Sequence, residues 1–111
     1  MSAGRYDLEI EQGSDFVLNI LYQDTNDVAL DLGTYTARMQ IRESSDSSSS
    51  IIELTDVNSR ITLGALDPNI VLTLSAGDTA SMDFDTAFYD LEVISSSATV
   101  SKVLRGSVKL I

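Results

Sequence analysis

The chain has 111 residues, 43% of them apolar, with 17 acidic and 7 basic side chains and a formal charge of −10. That length suits one compact domain, and that apolar fraction is too high for a disordered chain. The charge disfavours nucleic acid and anionic membranes, the lack of Cys excludes disulfides and zinc–thiolate sites, and the lack of His removes the usual neutral-pH base and the commonest metal ligand.

No apolar run approaches the roughly 18 residues that would span a bilayer. The opening "MSAGRYD" has one Arg and no apolar core, so it is not expected to be a secretory leader, and synthesis in a cytoplasm is expected.

The first element is "YDLEIE". Tyr6, Leu8 and Ile10 alternate with Asp7, Glu9 and Glu11, which predicts a strand with one buried face. After "GSD", "FVLNILYQ" resumes the alternation with Phe16, Leu18, Ile20 and Tyr22. Val17 and Leu21 on its other side predict that both faces are partly covered. "DTND" is a turn, because Asp and Asn side chains bond nearby backbone. "TYTARMQIRE" is the clearest strand: Tyr35, Ala37, Met39 and Ile41 face in, and Thr36, Arg38, Gln40 and Arg42 face out. The run "SSDSSSS" buries nothing and is expected to be a mobile hairpin loop over 43–50.

"IIELT", "RITLG" and "NIVLTLS" are three further short strands, with Pro68 in the turn before the last, where its missing donor does no harm. "SAGDTASM" lacks alternation and reads as one helical turn capped by Ser75, with Asp78 at the third position. "FYDLEVIS" and "TVSKVLRGSVKLI" close the chain as paired strands joined by "SSSAT". In the last strand, strict alternation sets Val103 and Ile111 opposite Leu104, Val108 and Leu110. This predicts burial on both sides, as in a central strand or against a neighbouring subunit. About eight short strands without a long helix predict an all-β fold, a sandwich or barrel, in one domain over 1–111, with residues 1–4 as a flexible arm.

Four constellations bear on chemistry. The tetrapeptide Tyr-Asp-Leu-Glu occurs at Tyr6–Glu9 and at Tyr89–Glu92, so Asp7/Glu9 and Asp90/Glu92 are carboxylate pairs roughly 7 Å apart on a strand face. That spacing is near glycosidase separations, but such an enzyme needs a cleft and one carboxyl of raised pKa. A solvated outer face is the simpler reading, with Tyr6, Leu8, Tyr89 and Leu91 in the core. Four carboxylates on neighbouring strands would repel, so the two copies should be separated or interleaved with cations such as Arg38 and Arg42. The oxygen clusters Asp24/Asn26/Asp27 and Asp83/Asp85 supply fewer ligands than calcium needs. Ser101 and Lys102 are adjacent on a strand, point to opposite faces and form no dyad. Arg38 and Arg42 should meet Glu92 or Asp90 across the sheet, for about 0–1 kcal/mol at a surface. Their functional alternative is docking to an acidic patch on a partner subunit. No catalytic, metal-binding or cofactor-binding residue is expected, and no cofactor.

The run "YDLEIEQGSDFVLNILYQDTNDVALDLGTYTARMQIRE", followed by "ITLG", "VLTLSAGDTASM", "YDLEV" and "VLRGSVKL", resembles a family of small bacteriophage virion proteins. It is also similar to the N-terminal domain of phage baseplate upper proteins. "GTYTARMQIR" is the most specific part, the likeness runs from about Tyr6 to the end, and the Ser-rich insert at Ser44–Ser50 departs from it. The resemblance implies an immunoglobulin-like antiparallel β-sandwich in the tail or baseplate of a virion, made in the host cytoplasm. It implies other virion proteins as partners, as an adaptor or fibre anchor. A capsid decoration or cement protein is the alternative, and a host-glycan-binding module trails for want of exposed aromatics. A homo-oligomer within the assembly is expected, with neither nucleic acid nor membrane as partner. The candidate partner-contact residues are Arg38, Arg42, Asp7, Glu9, Asp90, Glu92 and Ile111. Sheet edges matter for such a role, because unpaired strand edges recruit other chains.

Overall fold

A computed structural model describes residues 4–44 and 50–111. These form β1 (Gly4–Arg5), β2 (Leu8–Ile10), β3 (Phe16–Ile20), β4 (Thr36–Arg42), β5 (Ile52–Thr55), β6 (Ile61–Leu63), β7 (Ile70–Leu74), α1 (Ala76–Ala80), β8 (Thr86–Ile94) and β9 (Val100–Leu110). Gly4 pairs with Leu104 in β1, so the expected arm over 1–4 does not include it, and residues 1–3 lie outside the described residues. Most of the expected Ser-rich loop, residues 45–49, also lies outside them. The segment joins β4 to β5, which pair as an antiparallel hairpin with Ile41 opposite Ile52.

The strands make two sheets. The larger runs β1-β9-β8-β4-β5, with β2 also on β9; the smaller runs β3-β7-β6. The expected antiparallel pairing holds between all of these strands except β1 and β2, which run parallel to β9. The chain crosses from sheet to sheet between β2 and β3, β3 and β4, β5 and β6, and β7 and β8. This is an immunoglobulin-like β-sandwich, with the inward residues of both sheets interdigitating. Met39, Ile41, Leu54, Leu91 and Val93 of the large sheet share one buried cluster with Ile61, Ile70, Leu72 and Leu74 of the small one. Each such side chain contributes about 1.5–3 kcal/mol when fully buried, so branched aliphatics sustain a core that has no Trp.

Polar groups pin the connections. Buried Asn69 donates to the carbonyls of Tyr22 and Leu30, both at 2.8 Å, and accepts from the Tyr22 amide at 2.7 Å, which ties down the β3–β4 connection. The capping box predicted at Ser75 and Asp78 is present. Asp78 also accepts two bonds from Arg60, at 2.9 and 3.1 Å.

Three expectations are corrected. Tyr6 is half exposed and lies between β1 and β2, because its backbone is held by other partners. Its amide donates to the Arg105 carbonyl, and its own carbonyl accepts from the Tyr89 hydroxyl at 2.6 Å. Val17 is 61% exposed, because β3 packs only its Phe16, Leu18 and Ile20 face onto the core. In β9 the pairing passes from Leu91–Leu104 to Glu92–Lys102 and skips Val103. This bulge adds a residue to one strand, so Val103, Leu104, Val108 and Leu110 all reach the core rather than opposite faces. The strand is internal, with β8 on one side and β1 and β2 on the other.

Candidate functional site

Six of the chain's seven basic residues lie on the large sheet: Arg5 on β1, Arg38 and Arg42 on β4, and Lys102, Arg105 and Lys109 on β9. Register explains why those of β4 and β9 meet. Arg38 is opposite Glu92, Gln40 opposite Asp90, Asp90 opposite Arg105, and Glu92 opposite Lys102, so one outward face carries the whole set. The bulge at Val103 makes this possible. Lys102 and Arg105 are three residues apart, and without an extra residue between them a strand would point them to opposite faces.

At the centre sits Glu92, whose side chain is only 6% exposed. Its Oε1 accepts from Arg38 through Nε at 2.8 Å and through a second, closer guanidinium nitrogen; its Oε2 accepts from Lys102 at 2.7 Å. Burial pushes the Glu92 pKa up, but the bonds and charges of Lys102 and Arg38 outweigh it and hold the carboxyl below its ordinary range. Lys102 also reaches Asp90 at 2.9 Å, and its bonds to Glu92 and Asp90 raise its own pKa. Arg42 donates to Gln40, which donates to Glu53 at 2.6 Å. Arg105 makes no ion pair among the described residues.

These side chains border an open basin of about 430 Å³, lined by Arg38, Arg42, Lys102, Arg105, Glu92 and Phe88 among others. Phe88 is 42% exposed and supplies an apolar spot beside the charges. The basin has the chemistry of a contact surface. Its two carboxylates, Asp90 and Glu92, are both paired with cations.

Of the sequence-derived candidates, the structure brings Arg38, Arg42, Asp90 and Glu92 together here. Asp7 and Glu9 lie on the far side of β9. Asp7 accepts from the Ser107 amide at 3.0 Å, the main cause of its lowered pKa, and pairs with Arg5 at 3.3 Å. Glu9 is exposed, in register with Lys109. Ile111 is exposed at the end of β9, with its amide bonded to Ile10 and its carbonyl to the Gln12 amide. The two Tyr-Asp-Leu-Glu copies therefore share a sheet but are separated by β9, and the cations between them are Lys102, Arg105 and Lys109 rather than Arg38 and Arg42, which lie on β4 beyond the second copy. Sequence reasoning missed Lys102, Arg105 and Phe88 as members of the site. The signal was the break in alternation in "SKVLRGS", where apolar residues stand side by side between two cations.

The oxygen clusters have other uses. Asp24 accepts from the amides of Asn26 and Val28, closing its own turn. Among the described residues no group of three or more His, Cys, Asp or Glu is placed to hold a metal, and no helix is long and apolar enough to cross a membrane.

No protein-family model matches this sequence, and no curated protein matches it. Among solved structures the chain is similar to one described as Drosophila OTK, extracellular domains 3–5, at 13% identity and a TM-score of 0.44. The match covers 99% of this chain and 34% of that one, so the chain spans well under two thirds of the structure it matches.

Proposed function

We propose that this chain is a bacteriophage virion structural protein, without catalysis, that serves the tail or baseplate as an adaptor packing against other virion subunits or anchoring fibres. The observation that carries the reading is the concentration of six of seven cations on one sheet of a chain of charge −10. A charge asymmetry of that kind steers and orients contact with another macromolecular surface. The resemblance of "GTYTARMQIR" and its flanking motifs to small phage virion proteins supplies the setting. Four residues of that motif, Arg38, Gln40, Ile41 and Arg42, supply both the polar face and the core beneath it.

The alternative is a capsid decoration protein, which would use the same face on a different neighbour. Copy number separates the two. Quantifying the chain against the major capsid protein in purified virions should give tens of copies or fewer for a baseplate part, and hundreds for a decoration protein. Absence of the chain from purified virions rules out both.

A further inference from the structure

The cations of this molecule are sorted in space: six of seven lie on the large sheet, which also carries the carboxylates Glu9, Glu53, Asp90 and Glu92. Away from the large sheet, Arg60 is the one cation among the described residues, and it is held by Asp78. At the α1 end, four exposed carboxylates, Glu11, Asp15, Asp83 and Asp85, stand on two segments and make no ion pair among the described residues. Those segments are braced together. The Gln12 side chain donates to the Met82 carbonyl at 2.8 Å, the Gly13 amide donates to Thr79 Oγ1 at 3.0 Å, and Asp15 accepts from the Ala76 amide at 2.8 Å. The acidic corner is therefore held in place by the fold. The basin presents Arg105, with no ion pair, beside Arg42 and exposed Phe88.

We infer that the occupant of the basin is a second copy of this chain, which docks its acidic α1 corner against the Arg42–Arg105 side of the basin in a head-to-tail contact. This rests on the reading above that the chain works by contact, and it names the partner and the surface. Charge complementarity is the argument. The donor and acceptor surfaces are different patches, so the contact is heterologous, and repetition closes a ring or extends a filament. Whole-molecule repulsion between copies of charge −10 opposes docking at very low salt. At about 0.15 M salt the screening length is about 8 Å, which removes most of that repulsion and leaves the close pairs; at 1 M it is about 3 Å, and the pairs weaken too.

Sedimentation velocity on the purified full chain tests this. The wild type should associate at 0.15 M salt and dissociate at 1 M. Arg42→Glu with Arg105→Glu should weaken association at least tenfold, as should Asp83→Lys with Asp85→Lys. Each double variant keeps one intact patch. An equimolar mixture should therefore associate more strongly than either variant alone, because the intact corner of one meets the intact basin of the other and the two reversed patches also carry opposite charge. A wild type that stays monomeric at every salt and concentration overturns the inference. So do folded variants that assemble like the wild type, or a mixture that associates no more strongly than either variant alone. Should a double variant lose its thermal transition, Arg105→Glu alone serves, and the salt dependence of the wild type needs no variant. Detection of the chain in virions tests the functional reading separately. A virion protein that does not self-associate breaks only this inference, and a self-associating chain absent from virions breaks only the other.

Discussion

The two copies of Tyr-Asp-Leu-Glu are identical in sequence and opposite in fate. At Tyr6–Glu9 the tyrosine is half exposed, the aspartate accepts from the backbone of β9, and the glutamate faces water. At Tyr89–Glu92 the tyrosine is buried, the aspartate shares Lys102, and the glutamate is buried between two cations. Position in the sheet decides this. The second copy lies in β8, paired on both sides by β4 and β9, whereas the first is pinned to the outer edge of β9. An identical local word thus takes its role from the number of neighbours it has, because neighbours supply both desolvation and counter-charge.

The first copy is most easily broken from its partner strand. A Cβ at Gly106 would stand 2.3 Å from the Tyr6 carbonyl oxygen and 2.9 Å from the Asp7 carboxylate. Backbone cannot give that much. Gly106→Ala should therefore cost about 3 kcal/mol, at the upper end of overpacking penalties, measured as a shift of the urea midpoint at constant slope. An unchanged midpoint would show that the first copy is not held by β9.

The second copy is best tested at Glu92. Glu92→Ala should destabilise by about 1–3 kcal/mol, because it removes a buried carboxylate that two cations are arranged around. Those cations are half exposed and can turn to water, so the cost stays below that of a fully buried pair. The same substitution at Glu9 should change stability by less than about 0.5 kcal/mol. Equal effects would erase the distinction between the copies.

The pH dependence has a definite sign. The folded Glu92 pKa lies below its ordinary 4.5, so its stabilisation is complete above that value and is lost as pH falls through the depressed folded pKa. Asp7 and Asp78, lowered from 3.8, act in the same direction at lower pH. Melting temperature should therefore fall on acidification below about 4.5, and Glu92→Gln should flatten the first part of that fall. A variant that keeps the full acid slope would assign it to other carboxylates. At the alkaline end, burial raises the Tyr89 pKa from 10.0 to about 12. Its contribution is complete below 10.0 and is lost as pH rises towards 12, a slope that Tyr89→Phe should remove.

The smallest effect belongs to the bond between the copies. Tyr89→Phe loses the hydrogen bond to the Tyr6 carbonyl and should cost about 1 kcal/mol at neutral pH. Tyr6→Phe leaves that backbone acceptor in place and should change stability by less than about 0.5 kcal/mol. Thermal melts of the two variants side by side check the difference.

Most strands were legible because alternation is a local signal. Tyr35, Ala37, Met39 and Ile41 face inward as read, and the Ser75–Asp78 box caps its helix, since both depend on residues within a few positions of each other. The Arg38–Glu92 pair was also legible, from opposite charges on the polar faces of two strong strands. The rest of the basin was not, because strict alternation fails at the Val103 bulge, and every residue after a bulge changes face. Tyr6 was misplaced for a related reason. Its pattern is that of a strand, but the Tyr89 hydroxyl takes the Tyr6 carbonyl and the Asp7 carboxylate takes the Ser107 amide of β9, so side chains replace ladder bonds between β1 and β2.

Composition and periodicity by themselves determined an all-β domain, most of its inward residues and its large negative charge, because these follow from side-chain chemistry and a two-residue repeat. Only the tertiary structure decided that β9 stands between the two acidic copies, that its bulge turns Lys102 and Arg105 to one side, and that one sheet collects nearly all the cations. Those outcomes depend on pairing between residues as far as 100 positions apart, as between Leu8 and Val108, and no local pattern encodes which strands will be neighbours.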